Sequence, residues 1–295
     1  MNTRKKAPPF YGIGTALVTP FCDGRVDLDR FRTTVRRQIE GGISALIVSG
    51  TTGEAATLRN SEKAALLAAT CDEAEGRVPV IAGTGCADTR AAVTASRYAA
   101  THGADALLVV TPYYNKGTKE GVIAHYLTIA EAVDLPIILY NVPSRTGVDL
   151  SPDILSRLAE HENIVAIKEA SGSIDRCADI IAAFGDRLPL YSGNDGELLP
   201  TLSLGGIGLV SVVSNLLPSE TAMLYRLFSE GKTEEAKVLA AQLLPLIRTL
   251  FAETNPAPIK YAMALRGLIR PEARLPITMP SPPTRARLEE LLTRL

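Results

Sequence analysis

Lys168 closes the apolar run Ile164-Val165-Ala166-Ile167, so its aliphatic stem enters a buried layer. There an ammonium loses hydration and its pKa tends to fall. A lysine that is neutral part of the time is the nucleophile that imine formation with a carbonyl substrate requires. Without chemistry, the same residue reads as a strand-end lysine that reaches solvent or pairs with Glu169 or another acid. Tyr140 ends the neighbouring apolar run in the same way. Its phenol is suited to carry a proton during carbinolamine formation and dehydration, and its ring is equally suited to plug a core.

Other polar residues cluster where apolar runs stop. Gly50-Thr51-Thr52-Gly53-Glu54 offers backbone N–H groups and two hydroxyls to a small carboxylate, or forms an ordinary hydroxyl-capped turn. It contains no Walker lysine, so it does not read as a nucleotide phosphate site. Arg145, between Pro143 and Gly147, could clamp a carboxylate with two parallel hydrogen bonds or lie on the surface. Tyr113 and Tyr114, next to Pro112, suit a pocket mouth, an interface between subunits or loop packing. Ser192-Gly193-Asn194-Asp195 marks one further run end. Cys22 and Cys86 lie just past two such runs, but no histidine is placed to activate them, so they read as small buried filler.

The elements that must position these groups are short β-branched runs alternating with Ala/Leu/Arg/Glu-rich stretches. Strands are expected at 14–19, 45–49, 78–82, 106–110, 136–140, 164–168, 188–192 and 208–212. Amphipathic helices are expected at 29–40, 61–75, 89–102, 119–133, 152–161 and 174–184. Eight such repeats in just over 200 residues predict a (β/α)8 TIM barrel, in which residues at the C-terminal ends of the strands do the chemistry. A doubly wound sheet would want a G-x-G-x-x-G turn after the first strand, and Thr19-Pro20-Phe21-Cys22-Asp23-Gly24 is not one. Strand signals stop after Gly231, which sets a catalytic barrel over 1–231 and a C-terminal helical domain over 232–295. Helices are expected at 233–251, 259–268 and 284–294, with a stiff, proline-rich connection before the last.

Composition narrows the function classes. With 31 Lys plus Arg against 32 Asp plus Glu, the net charge is −1, so no positive field favours nucleic acid or anionic lipid. The three histidines and four cysteines show no metal-ligand spacing and no C-x-x-C pair, so no metal and no disulfide framework is expected. Arg4, Lys5 and Lys6 are followed at once by Pro8 and Pro9, and the next stretch lacks an A-x-A-like cleavage site. A cytoplasmic protein without a membrane span is expected.

In order and spacing, these motifs resemble the dihydrodipicolinate synthase branch of the aldolase-like family that also contains N-acetylneuraminate lyase. The likeness runs from about Gly12 through Asn255-Pro256-Ala257-Pro258-Ile259-Lys260. The resemblance implies that Lys168 forms the Schiff base with pyruvate and that Tyr140, Thr51 and Tyr114 relay protons, with Tyr114 reaching a neighbouring subunit's site. It implies that Thr52, with the Thr51 and Thr52 backbone, holds the pyruvate carboxylate. Arg145 would bind the carboxylate of L-aspartate 4-semialdehyde, and Gly193 and the Val210 carbonyl would complete the pocket. The implied reaction makes 4-hydroxy-tetrahydrodipicolinate, the entry to diaminopimelate and lysine, with no cofactor and in a homotetramer built as a dimer of dimers. Thr51-Thr52, and Arg145 within Tyr140-Asn141-Val142-Pro143-Ser144-Arg145-Thr146-Gly147, favour this branch over the sugar-acid aldolases and neuraminate lyases. A non-catalytic relative would not be expected to keep the whole set.

In lysine-inhibited members of the family the inhibitor sits at a dimer interface. The matching positions here read Ala55, Ala56, Asn60, Lys63, Ala87, Asp88, Ala91 and Tyr113. Lys63 stands where inhibited members often carry histidine and Ala91 where they carry glutamate, which removes attraction for an ammonium group. Weak or absent feedback by lysine is the expectation, unless the Asp88 carboxylate points into the cavity.

Overall fold

The structure, a computed structural model, describes residues 6–293. Arg4, Lys5 and Arg294, which the sequence reading used, lie outside the described residues. In chain order the strands are β1 Gly12–Ala16, β2 Phe21–Cys22, β3 Arg25–Val26, β4 Ala45–Val48, β5 Val80–Gly83, β6 Ala106–Val110, β7 Ile137–Asn141, β8 Ile164–Glu169, β9 Leu190–Ser192 and β10 Gly208–Ser211. The helices are α1 Leu28–Glu40, α2 Asn60–Ala74, α3 Thr89–Thr101, α4 Lys119–Glu131, α5 Pro143–Thr146, α6 Pro152–Leu158, α7 Ile174–Phe184, α8 Leu198–Ser203, α9 Pro218–Ser229, α10 Thr233–Leu250, α11 Ala257–Leu265 and α12 Pro282–Leu292. The strands close into a barrel in the order β1-β10-β9-β8-β7-β6-β5-β4, which is the expected (β/α)8 fold with C-terminal helices. β2 and β3 form a separate antiparallel hairpin.

Local chemistry explains many of the boundaries. Asp27, Asp88, Thr118 and Ser173 each accept a backbone N–H at the start of α1, α3, α4 and α7. Proline opens α5, α6, α9 and α12, where its missing N–H costs nothing. Differences from the sequence reading concentrate at two places. The first strand ends at Ala16 instead of residue 19, because Val18 N–H bonds the Asn215 side chain at 3.0 Å and the Thr19 carbonyl accepts from Lys260 Nζ at 2.8 Å, neither of which is a strand partner. Helices α8 and α9 fill a stretch for which no helix was expected. Cys22 and Cys86 are only half-buried, since one lies in the surface hairpin and the other in the loop after β5. Desolvation, together with the hydrogen bond from Cys22 Sγ to Asp23, raises that thiol, which disfavours the nucleophilic thiolate.

The chain divides into two compact units. Among the described residues one comprises 6–11 with Pro79–Val210, the other Gly12–Val78 with 211–293, so the 231/232 boundary read from the sequence falls inside the second unit. In the first unit, Phe10 stacks on Tyr191 with ring centres 4.3 Å apart and accepts its hydroxyl at 2.6 Å. In the second, Val18, Val212, Val213 and Leu216 pack with Leu243, Leu246, Leu250, Ile259, Met263 and Leu288 in one apolar cluster. That cluster ties α10, α11 and α12 to the residues following β1 and β10. Among the described residues no helix is long and apolar enough to cross a membrane.

Polar contacts reinforce the same unit. Arg274 donates to Glu62 through two nitrogens at 2.6 and 2.8 Å, and its guanidinium lies 4.4 Å from the centre of the Phe21 ring. The Arg274 hydrogen bonds hold the Glu62 carboxyl well below its ordinary 4.5, at about 2. A carboxyl lowered by folding adds stability that is complete above its unfolded value and disappears as pH falls through its folded value. Urea unfolding of the parent and of Glu62→Gln should therefore differ fully above pH 4.5, with the gap closing as pH falls toward 2. A gap that does not depend on pH would refute this assignment.

Candidate active site

β7 and β8 run parallel, and their pairing slips by one residue. Ile137 lies opposite Ile164, but Ile138 lies opposite Ala166, leaving Val165 as the extra residue of a bulge. Without the slip, Tyr140 would face Ile167. With it, Tyr140 is paired with Lys168, and paired strand residues share a face of the sheet. The Lys168 Nζ consequently sits 4.0 Å from the centre of the Tyr140 ring.

Lys168 is 6% exposed and forms no ion pair among the described residues. The suggested partner Glu169 turns elsewhere, since adjacent strand residues point to opposite faces. Its carboxylate accepts from Asn141 Nδ2 at 2.8 Å, from Arg176 Nε at 3.1 Å and from the Ser171 N–H at 2.6 Å. Lys260 makes a useful contrast. It is fully buried, but its Nζ donates to Glu54 at 2.6 Å and to the Thr19 carbonyl at 2.8 Å, so it is a neutralised structural lysine. Burial pulls the Lys260 amine below the usual lysine value, with Glu54 acting in the opposite sense. Of the two lysines buried among the described residues, Lys168 alone keeps an amine without a carboxylate beside it.

Gly193 belongs to the same cluster. Its N–H donates to the Glu169 carbonyl at 2.7 Å, and a methyl at this position would lie 2.5 Å from Ala170 Cβ and 3.0 Å from Lys168 Cε. The absence of a side chain is what leaves room for the lysine stem. Thr111 fixes the other side, since both its N–H and its hydroxyl donate to the Tyr140 carbonyl at 3.0 Å. Val210 is buried in β10.

Arg145 lies exposed on α5, the turn directly after β7. The loop carrying it is held by a network that sequence reading missed. Asn141 donates to both Asp149 and Glu169 at 2.8 Å and accepts the Leu150 N–H at 3.1 Å. Arg176 joins Asp149 at 3.0 Å, Glu169 at 3.1 Å and the Leu150 carbonyl at 2.6 Å. The one signal in the sequence is the period-2 rule, which sends Asn141 and Glu169 away from the face that Tyr140 and Lys168 share.

Tyr114 stands apart from this cluster, 87% exposed and with φ 74° in the left-handed region that a tyrosine seldom occupies. Thr51 and Thr52 belong to the second unit, in the turn after β4, where Ser49 and Glu54 also take positive φ values of 58° and 53°. Of the residues matched to a lysine cavity, Ala55, Ala56, Asn60 and Lys63 lie on the turn and first residues leading into α2. Ala87, Asp88 and Ala91 lie at the start of α3 and Tyr113 follows β6. Asp88 caps α3, its Oδ1 accepting the Arg90 N–H at 2.9 Å.

A family model described as the dihydrodipicolinate synthetase family matches residues 9–295. The chain belongs to this family. A curated relative from Clostridium novyi (strain NT), named 4-hydroxy-tetrahydrodipicolinate synthase, is 46% identical over 268 residues, 91% of this chain and 90% of its own. The solved structure of the 4-hydroxy-tetrahydrodipicolinate synthase from Methylacidiphilum fumariolicum SolV is 42% identical with a TM-score of 0.94, over 96% of this chain and 95% of that one. That of DHDPS from Cyanidioschyzon merolae with lysine bound is 39% identical with a TM-score of 0.91, over 96% and 97%. The family and fold expected from the motifs are the ones found.

The packing of Gly193 against Lys168 can be tested directly. Gly193→Ala should lower the rate at which borohydride traps a lysine adduct of a small α-keto acid by about 100-fold, the scale of a misplacement near 1 Å. Far-ultraviolet circular dichroism should remain that of the parent, and an unchanged trapping rate would contradict the packing argument.

Proposed function

We propose that this chain condenses pyruvate with L-aspartate 4-semialdehyde to give 4-hydroxy-tetrahydrodipicolinate, the reaction for which its relatives are named. The observation that carries the reading is the buried Lys168 amine, lying against Tyr140 with no carboxylate to neutralise it. Membership of the family supports the choice of reaction.

In this reading Lys168 Nζ attacks C2 of pyruvate, and loss of water leaves an iminium. The positive nitrogen acidifies the methyl group, which gives up a proton and becomes an enamine carbon. Tyr140, Thr51 and Tyr114 carry the protons. The enamine attacks the aldehyde carbon of the second substrate, whose amino group then displaces Lys168 from C2 as the ring closes. The iminium itself is the electron sink, so the reaction proceeds without a cofactor. Thr52 and the Thr51–Thr52 backbone hold the pyruvate carboxylate, Arg145 holds that of the semialdehyde, and Gly193 and the Val210 carbonyl bound the pocket.

Tyr114 serves a neighbouring subunit in a homotetramer, a reading supported by its exposure and its left-handed backbone. Lysine inhibits weakly or not at all. Lys63 brings a like charge toward the inhibitor's ammonium, Ala91 brings no acid, and the Asp88 carboxylate is engaged in capping α3. A cytoplasmic location fits a soluble biosynthetic enzyme.

The deciding assay couples the reaction to purified dihydrodipicolinate reductase and follows loss of NADPH absorbance with each substrate omitted in turn. A signal that needs both substrates and this chain is expected. Silence with active reductase would refute the reaction and move the assignment to a sugar-acid aldolase or to a non-catalytic relative. Lys168→Ala should abolish the borohydride-trapped pyruvate adduct while keeping the fold, and Arg145→Ala should raise the KM for the semialdehyde by about 10- to 100-fold. A dose-response curve with strong inhibition at physiological lysine would overturn the regulatory part.

A further inference from the structure

The turn that carries Thr51 and Thr52 is held from the far end of the chain. Asn255, just ahead of α11, donates from Nδ2 to Thr52 Oγ1 at 2.9 Å, and both residues are buried. Lys260 on α11 donates to Glu54 and to the Thr19 carbonyl, and Thr19 in turn donates to the Gly53 carbonyl. The Arg274 N–H donates to the other oxygen of Glu54 at 2.9 Å. These contacts secure a glutamate at φ 53°, a left-handed conformation that a non-glycine residue keeps only where its surroundings fix it.

The contact at Thr52 has a chemical consequence. A hydroxyl has one hydrogen to give and lone pairs to receive. The Asn255 amide occupies a lone pair of Thr52 Oγ1, and no acceptor among the described residues takes the hydroxyl hydrogen. A buried donor without an acceptor is unfavourable, and an anionic oxygen that accepts the hydrogen recovers that energy.

We infer that Asn255 is a positioning residue for substrate binding: its amide turns the Thr52 hydroxyl so that the hydrogen is presented to the substrate carboxylate. The inference rests on the reading of Thr52 as a pyruvate-carboxylate ligand. It also gives the C-terminal extension a part in the chemistry, through the residue just ahead of α11.

The test compares kcat and the KM for each substrate in Asn255→Asp, Asn255→Ala, Thr52→Val and the corresponding double variants, with thermal unfolding alongside. An aspartate at 255 keeps the shape but accepts the Thr52 hydrogen. It should raise the KM for pyruvate by about 10- to 100-fold. The KM for the semialdehyde should stay within about twofold, the split that separates positioning from general destabilisation. In the Thr52→Val background, Asn255→Asp should add nothing further, because the hydroxyl it acts on is gone. Should Asn255→Asp not fold, Asn255→Ser, too short to reach Thr52, carries the same expectation.

A pyruvate KM unchanged in the Asn255 variants, or an equal rise with and without Thr52, would overturn the inference. Loss of stability with both KM values moving together would assign Asn255 a structural role and overturn it as well. Failure of the parent chain to form a pyruvate adduct is a separate result, refuting the proposed function on which the inference stands.

Discussion

In the proposed reaction, chemistry depends on placing one amine inside a protein without giving it a counter-charge. An ammonium taken out of water is costly unless it is paired, and the fold accommodates both outcomes. Lys260 is buried with Glu54 against it, and that pair serves the architecture. Lys168 is buried against the face of an aromatic ring instead, an arrangement that offers attraction without consuming the nitrogen in a salt bridge. The nearest acid in sequence, Glu169, is saturated by Asn141, Arg176 and a backbone N–H on the opposite face of the strand. The amine is kept available because its acidic neighbour is occupied.

This division of labour gives many polar groups around Lys168 a structural task. Asn141, Asp149, Glu169 and Arg176 form a closed set of charges and amides that fixes the loop bearing Arg145. Each member is satisfied by at least two of the others or by backbone, the condition under which a buried polar network contributes rigidity instead of a desolvation penalty. The second unit repeats the device with Glu54, Lys260 and Arg274, where the object being held is the Thr51–Glu54 turn. In both cases charge is spent on backbone geometry, and the reactive groups are left with few partners.

The sequence by itself determined the architecture and the chemical vocabulary. Continuous apolar runs such as 106–110 and 164–168 are buried on both faces, and a parallel barrel is the structure that satisfies that demand eight times over. Lys168, Tyr140, Arg145 and the Thr51-Thr52 pair stood out because they lie at or just after the ends of such runs, where a barrel gathers its chemistry, although each also had a packing or surface reading. Helix starts were legible where Asp, Ser, Thr or Pro announces them, since capping is a local interaction.

What only the tertiary structure decided is the phase between elements and the contacts between distant segments. The one-residue bulge at Val165 brings Tyr140 opposite Lys168, and no local pattern in an all-apolar strand distinguishes the two registers. Val18 and Thr19 looked like strand residues and left the strand because Asn215 and Lys260, far along the chain, claimed their backbone hydrogen bonds. Asn255 and Lys260 lie about 200 residues from the turn they hold. Propensity and periodicity describe how a segment meets an average environment. The identity of its partners is set when the chain closes on itself.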